Sequence, residues 1–257
     1  MSDPDVDPPR GMRESVPKDT TSSHHSVDLQ EQEEWTAKTA ERQYYRRDAM
    51  FIKRSLRPSE YMTTIKGNPH IPRLGKERLQ NEAEALRFIR RVSDIPVPTV
   101  YGSFEVDGSY FLITQYIDGV GMSELPKDQK ELVWPEISQH LKTLYEIKSP
   151  RIGGPSGIVI PPYRVMDCTK NDSWTLKLAE TPEYVFCHND LSQHNIIIDP
   201  VTLKINAIID WEYAGFFPEH FEAPFYKRRG PSVALDGEPD DVPELLRFLN
   251  SRSTLVE

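Results

Sequence analysis

His188-Asn189-Asp190-Leu191-Ser192-Gln193-His194-Asn195, followed by Ile208-Ile209-Asp210-Trp211-Glu212, is the stretch that decides how this chain is read. Asp190 and Asn195 lie on one short polar loop. Three apolar residues, Ile196 to Ile198, come directly after it and predict a buried strand that holds the loop still. A polar turn from Asp199 to Lys204 leads into a second apolar strand, Ile205 to Ile209, with Asp210 at its end. A hairpin of this length brings Asn195 and Asp210 back beside each other. Both can then reach one metal ion, with Asp190 a few residues away.

That arrangement suits phosphoryl transfer. The reaction needs a carboxylate to orient or deprotonate an acceptor hydroxyl, oxygen ligands for Mg2+, and a cation for the α- and β-phosphates. Residues 188–195 match the template His-x-Asp-Leu-x-x-x-Asn at every specified place. Asp190 is expected as the base, with Asn195 and Asp210 as the Mg2+ ligands. In this template the histidine fastens the loop to backbone, so His188 is expected as a structural anchor rather than a catalyst. A metal-dependent hydrolase built on His188, Asp190 and His194 would lack the further His and Asp ligands such a site needs.

Composition narrows the remaining classes. The chain has 257 residues, 37% of them hydrophobic, and a formal net charge of −9. An acidic balance argues against a nucleic-acid-binding surface. No run approaches the roughly 18 apolar residues of a membrane span. Met1 to Arg10 is acidic and Pro-rich without an apolar core, unlike a secretory signal. Cys168 and Cys187 lack a metal-type spacing and are expected as reduced thiols, which points to the cytosol. His24-His25 has no third ligand nearby in sequence.

Along the chain, residues 1–27 are expected to be a disordered tail, being rich in Pro, Ser, Asp and Thr. Leu29 to Arg47 reads as a charge-dense helix. A strand is expected from Ala49 through Ile52 towards Lys53, then a loop over 57–75. The stripe Leu79, Glu82-Ala83, Leu86 and Ile89 predicts a helix over Lys76 to Val92, ended by Ile95-Pro96-Val97-Pro98. Val100–Val106 and Tyr110–Ile117 read as strands joined by the Asp107-Gly108 turn, which needs positive φ. A further helix is expected over Lys127–Lys148, with Leu132, Ile137, Leu141, Leu144 and Tyr145 inward and Pro135 near its first turn. Residues 149–173 read as a loop, Val185–Cys187 as a short strand and Val242–Asn250 as a closing helix. The order is that of a two-lobed α+β fold, with an N-terminal nucleotide-binding lobe over 28–117 and a C-terminal catalytic lobe over 118–257.

Cys-His-Asn-Asp-Leu-Ser-Gln-His-Asn (187–195) with Ile-Ile-Asp-Trp-Glu-Tyr-Ala-Gly (208–215) resembles the aminoglycoside phosphotransferase and choline kinase superfamily. More narrowly, it resembles the fungal branch of phosphotransferase-family proteins. Ile-Pro-Val-Pro (95–98) and Phe-Ile-Lys-Arg-Ser-Leu-Arg-Pro-Ser-Glu-Tyr (51–61) look similar to the same branch. The resemblance implies a protein-kinase-like fold and ATP- and Mg2+-dependent phosphorylation of a small-molecule hydroxyl. Protein kinases carry Asp-Phe-Gly where this chain has Asp210-Trp211-Glu212, and no Ala-Pro-Glu closure follows here.

The family's phosphate-binding lysine would be Lys53, with Lys66 and Lys76 as rivals. Its partner would be a glutamate on the following helix, either Glu82 or Glu84. Glu82 lies in the apolar stripe and Glu84 on a more exposed face, so Lys53–Glu82 is the expected pair. In this fold the strand leaving the hairpin meets adenine, which nominates the backbone of Gln115, Tyr116 and Ile117. Two departures stand out. Trp35 to Arg47 contains no glycine, so the phosphate clamp is either glycine-free or part of an abbreviated N-terminal lobe. The segments that shape an acceptor pocket are also short. The alternative function is therefore a nucleotide-binding module without turnover.

Overall fold

A computed structural model of the chain describes residues 34–251. The expected tail over 1–27 lies outside them. The chain opens with β1 (Trp35–Lys38), β2 (Arg42–Arg47) and β3 (Met50–Ser55), followed by helix α1 (Gly75–Val92), β4 (Val100–Val106) and β5 (Ser109–Gln115). The strands form one antiparallel sheet in the order β1-β2-β3-β5-β4. The turn between β4 and β5 has φ +48° at Asp107 and +76° at Gly108, the two positive values a tight primed turn requires.

The helix expected over Leu29–Arg47 is therefore corrected wherever it falls within the described residues. Residues 35–47 are a hairpin, with Trp35 opposite Arg46 and Lys38 opposite Gln43. Helical spacing misleads here because so few residues of β1 and β2 are apolar that neither period is clear. Five strands also mean that the N-terminal sheet is not abbreviated.

The chain continues through β6 (Val120–Gly121), α2 (Lys127–Glu146), β7 (Lys148–Ser149), α3 (Tyr163–Asp167), β8 (Tyr184–Cys187), β9 (Ile196–Ile198), β10 (Ile205–Ile208), β11 (Gly215–Phe217) and α4 (Val242–Asn250). Two small sheets result, β10-β9-β6 and β11-β8-β7. The largest core cluster joins the end of α1, the inner face of α2 and the strands that carry the polar loops: Leu86, Ile89, Val133, Ile137, Phe186, Ile196, Ile208 and Trp211. Burial of these side chains at roughly 25 cal/mol per Å2 makes the floor beneath the polar loops rigid.

Three smaller expectations are revised. Val133, Ile137 and Leu144 form the buried stripe of α2, while Leu132 is 68% exposed because it is one residue, or 100°, off that stripe. Pro135 lies inside α2 rather than in its first turn. It and Glu131 face solvent, where water can take the carbonyl that proline cannot serve. The stretch read as loop over 149–173 contains α3, a short helix with Arg164, Val165 and Met166 buried. No helix of the described residues is long and apolar enough to cross a membrane.

Candidate active site

β9 and β10 pair as the sequence predicts, with Ile208 opposite Ile196. The Ile209 N–H donates to the Asn195 carbonyl at 2.9 Å, which places Asp210 next to Asn195. Asp210 itself adopts φ +62°, ψ +52°, a left-handed conformation that aspartate tolerates and that ends the strand abruptly. Behind it, Trp211 is fully buried and its indole N–H donates to the Ile208 carbonyl at 2.8 Å.

The catalytic-type loop is held by backbone contacts. His188 is fully buried, and its Nε2 donates to the Ile209 carbonyl at 2.9 Å. Its Nδ1 accepts the Asp190 N–H at 3.3 Å, so both ring nitrogens are engaged. Burial lowers its pKa to about 4, leaving the imidazole neutral. These two bonds tie the ring to the backbone of Ile209 and of its own loop. Asn195 donates from Nδ2 to the Asp190 carbonyl at 2.8 Å and to Asp190 Oδ2 at 3.1 Å, which leaves its Oδ1 as a neutral oxygen donor. Burial pushes the Asp190 carboxyl up to about 7, with the Asp210 charge adding to the rise and contacts from Ser232 and Asn195 opposing it.

Across the cleft, Lys53 reaches both carboxylates. Its Nζ lies 2.6 Å from Glu82 Oε1 and also contacts Asp210 Oδ1. Burial alone would lower the pKa of the ammonium, but Asp210 and Glu82 reverse this and hold it above the ordinary lysine value. Glu82 is nevertheless raised, because burial outweighs Lys53. Glu82 is the residue that meets Lys53, while Glu84 is half-buried and pairs with Arg87 at 2.7 Å. The rival Lys76 pairs on the surface with Glu105 at 2.5 Å.

At the end of β5 the backbone narrows the expected adenine contact. The N–H groups of Gln115 and Tyr116 donate to the Thr99 and Ala49 carbonyls at 2.8 and 2.7 Å. Neither N–H is free to donate to a base. The Tyr116 ring lies under the Arg46 guanidinium, 3.9 Å from its centroid.

Several residues that sequence reading passed over complete the site. Arg42 on β2 has a buried side chain that pairs with Glu212 and lies 4.0 Å from Glu82. Arg78 on α1 bonds the Tyr213 hydroxyl at 2.6 Å and Glu41 in the β1–β2 turn. Asn189, at φ +68°, donates to the Tyr213 carbonyl at 2.8 Å. Glu222 accepts the N–H groups of His188 and Asn189. Arg164 donates to the Asn189 and Phe221 carbonyls at 3.0 and 2.8 Å and pairs with Asp241 at 2.8 Å. Only Glu212 had a signal in the sequence, as the acid standing where protein kinases carry glycine. Among the described residues no group of three or more His, Cys, Asp or Glu could hold a metal ion.

Three comparisons find similar proteins. A family model described as "Phosphotransferase enzyme family" matches residues 164–223. An aminoglycoside 3'-phosphotransferase of Streptomyces ribosidificus is 26% identical over 168 residues, covering 55% of this chain and 62% of that one. The chain thus spans less than two thirds of that relative. A probable choline kinase of Arabidopsis thaliana is 33% identical over 98 residues, covering 37% of this chain and 26% of that one. An aminoglycoside phosphotransferase structure from Streptomyces rimosus superposes with a TM-score of 0.51 at 16% identity, over 75% of this chain and 76% of that one, which shows the fold. The chain is thus similar in part of its sequence to aminoglycoside phosphotransferases and a probable choline kinase, and it has the kinase-like α+β fold of the superposed structure.

Proposed function

We propose that this chain is an ATP- and Mg2+-dependent phosphotransferase acting on a hydroxyl of a small molecule. The observation that carries the reading is the position of Lys53. One ammonium touches Glu82 on α1 and Asp210 at the end of the β9–β10 hairpin, and Asp210 adjoins Asn195 and Asp190. A cation, a base and two oxygen ligands thus converge from elements far apart in sequence.

The donors fit the cofactors. Asn195 Oδ1 and the Asp210 carboxylate are hard oxygen ligands, the kind Mg2+ prefers. Bound Mg2+ would supply neutralisation of charge on the phosphate oxygens. Buried polar atoms remain unmatched beside them: Glu82 Oε2 and Arg42 Nε have no hydrogen-bond partner. Leaving such groups unpaired costs about 1–3 kcal/mol each.

In the proposed reaction Lys53 binds the α- and β-phosphates and exchanges its contact with Asp210 for them. Glu82 keeps the ammonium aimed. Asp190 orients the acceptor hydroxyl and takes its proton as the oxygen attacks, a task favoured by a carboxyl pKa near 7. His188 keeps the loop in register. Ile117 meets the adenine edge, and Asn195 fixes Asp190 through its amide.

The relatives named above as aminoglycoside 3'-phosphotransferase and probable choline kinase take small hydroxylated molecules in their names, and this supports the same substrate class here. The alternative of a module without turnover rested on a missing clamp. The β1–β2 hairpin occupies the clamp's place in the chain, without glycine, and the relatives named above as a phosphotransferase and a kinase favour turnover.

A thermal-shift titration tests the reading. Mg-ATP at about 100 times its Kd is expected to stabilise the fold by roughly 2.7 kcal/mol. No shift at millimolar Mg-ATP would contradict it.

A further inference from the structure

The β1–β2 turn stands where a phosphate-covering loop is expected, yet three of its backbone donors are engaged. Thr39 Oγ1 accepts the N–H groups of Glu41 at 3.2 Å and Arg42 at 3.0 Å. The Thr39 N–H donates to the Arg42 carbonyl at 2.8 Å. A glycine-rich loop works by presenting such amides to phosphate oxygens. Here a threonine hydroxyl has taken two of them, and 35–47 has no glycine to bring the backbone close.

What the hairpin sends inward instead is a guanidinium. The Arg42 side chain is 3% exposed, although it begins a strand of a surface hairpin. It points to the Lys53 cluster, pairing with Glu212 and approaching Glu82 to 4.0 Å. Its Nε has no hydrogen-bond partner despite full burial. A buried guanidinium with an unmatched donor is costly, and its planar fork suits two oxygens of one phosphate. Glu212, its present partner, follows Asp210 by two residues and so lies at the same end of the cleft.

We infer that Arg42 is a nucleotide-phosphate ligand that replaces the amides of a glycine loop, and that Glu212 holds it in place until the nucleotide arrives. The inference rests on the phosphotransferase reading and names the residue that would give this chain its preference for a polyphosphate.

Isothermal titration of the full chain with adenosine, AMP, ADP and ATP, each with Mg2+, tests it. The unaltered protein is expected to bind more tightly as phosphates are added. Arg42→Gln is expected to weaken ATP about ten- to hundredfold while leaving adenosine within about twofold. Glu212→Gln, which frees Arg42, is expected to move ATP affinity the opposite way, up severalfold, with adenosine unchanged. That gain would not follow from a merely structural Arg42–Glu212 pair. If Arg42→Gln fails to fold, Arg42→Lys keeps the charge without the fork and is expected to lose part of the ATP preference.

The inference is overturned if Arg42→Gln lowers ATP and adenosine affinity equally, if it lowers neither, or if Glu212→Gln weakens ATP. A protein that binds ATP no better than adenosine before any substitution would overturn the phosphotransferase reading as well. One that prefers ATP equally with and without Arg42 would overturn this inference alone.

Discussion

The two sides of the cleft hold their polar groups by different means. On the hairpin side, His188, Asn189 and Asn195 are fixed by hydrogen bonds to carbonyls of Ile209, Tyr213 and Asp190, spans of 21, 24 and 5 residues. On the clamp side, Arg42 and Arg78 are tied to Glu212, Glu41 and Tyr213 mainly through charge, across as many as 170 residues. Hydrogen bonds between neutral groups respond little to salt. Long-range ion pairs can be exchanged for another anion, which is what a phosphate-binding side of a cleft requires. The difference teaches that one wall is built to stay and the other to trade partners.

The comparison breaks most visibly at the fixed wall. Asp190→Asn is expected to lower kcat by about 10^2–10^4 while Mg-ATP affinity stays within about threefold; parallel phosphate-transfer and titration measurements check this. A comparable loss of affinity would mean that Asp190 belongs to the nucleotide site instead.

Next in size are two buried supports. Trp211→Ala removes the fully buried side chain behind Asp210 and is expected to cost about 3–5 kcal/mol in urea unfolding. Glu82→Ala leaves Lys53 with Asp210 alone and is expected to cost a smaller roughly 1–3 kcal/mol. Glu84→Ala, two residues away but only half-buried, is expected to stay within about 1 kcal/mol. Equal costs at 82 and 84 would undo the assignment of the pair.

A pH effect sharpens the contrast further. Burial raises the Glu222 carboxyl to about 7, opposed by the amides of Asn189 and His188. A carboxyl with a raised pKa keeps its proton in the fold longer than in the unfolded chain. Its stability contribution is therefore full below the unfolded value and is lost as pH rises through about 7. Glu222→Gln, which mimics the protonated form, is expected to remove a decline of up to roughly 2–3 kcal/mol between pH 5 and 8. Denaturant midpoints measured across that range would show the wild-type slope flattening; an unchanged slope would remove Glu222 from the account.

The smallest effect concerns a close approach. A Cβ at Gly154 would sit 1.8 Å from Asn81 Oδ1. Asn81 is fully buried and bonds the carbonyls of Glu212 and Ala214 at 3.0 and 2.8 Å. Gly154→Ala is expected to lower stability by about 1–3 kcal/mol and, by shifting the Glu212 backbone, to weaken ATP more than adenosine.

The same contrast explains what was legible in the residues. The hairpin 196–210 is encoded locally, by two isoleucine-rich runs and a polar turn, so Asp190, Asn195 and Asp210 could be placed from spacing alone. Lys53 and Glu82 followed from the resemblance, which implies a lysine paired with a helix glutamate, with one apolar strand and one apolar stripe choosing among the candidates. β1 and β2 were opaque because Arg42, Arg46 and Arg47 look like solvated helix charges until Glu212 and Tyr116 are present to receive the first two. Arg164 was hidden for a similar reason: α3 has only five residues, and its role depends on carbonyls of residues 189 and 221. Leu132 and Val133 are adjacent apolar residues, and only the neighbouring strands decide which faces in.

The central claim is tested most directly by following the γ-phosphoryl group of labelled ATP in the presence of Mg2+ and a panel of hydroxylated small molecules, amino sugars and amino alcohols included. The account predicts label on a small-molecule hydroxyl with the unaltered chain, and none with Asp190→Asn under conditions where titration shows ATP still bound. Transfer that persists undiminished in Asp190→Asn, or a chain that binds no Mg-ATP at all, would contradict it.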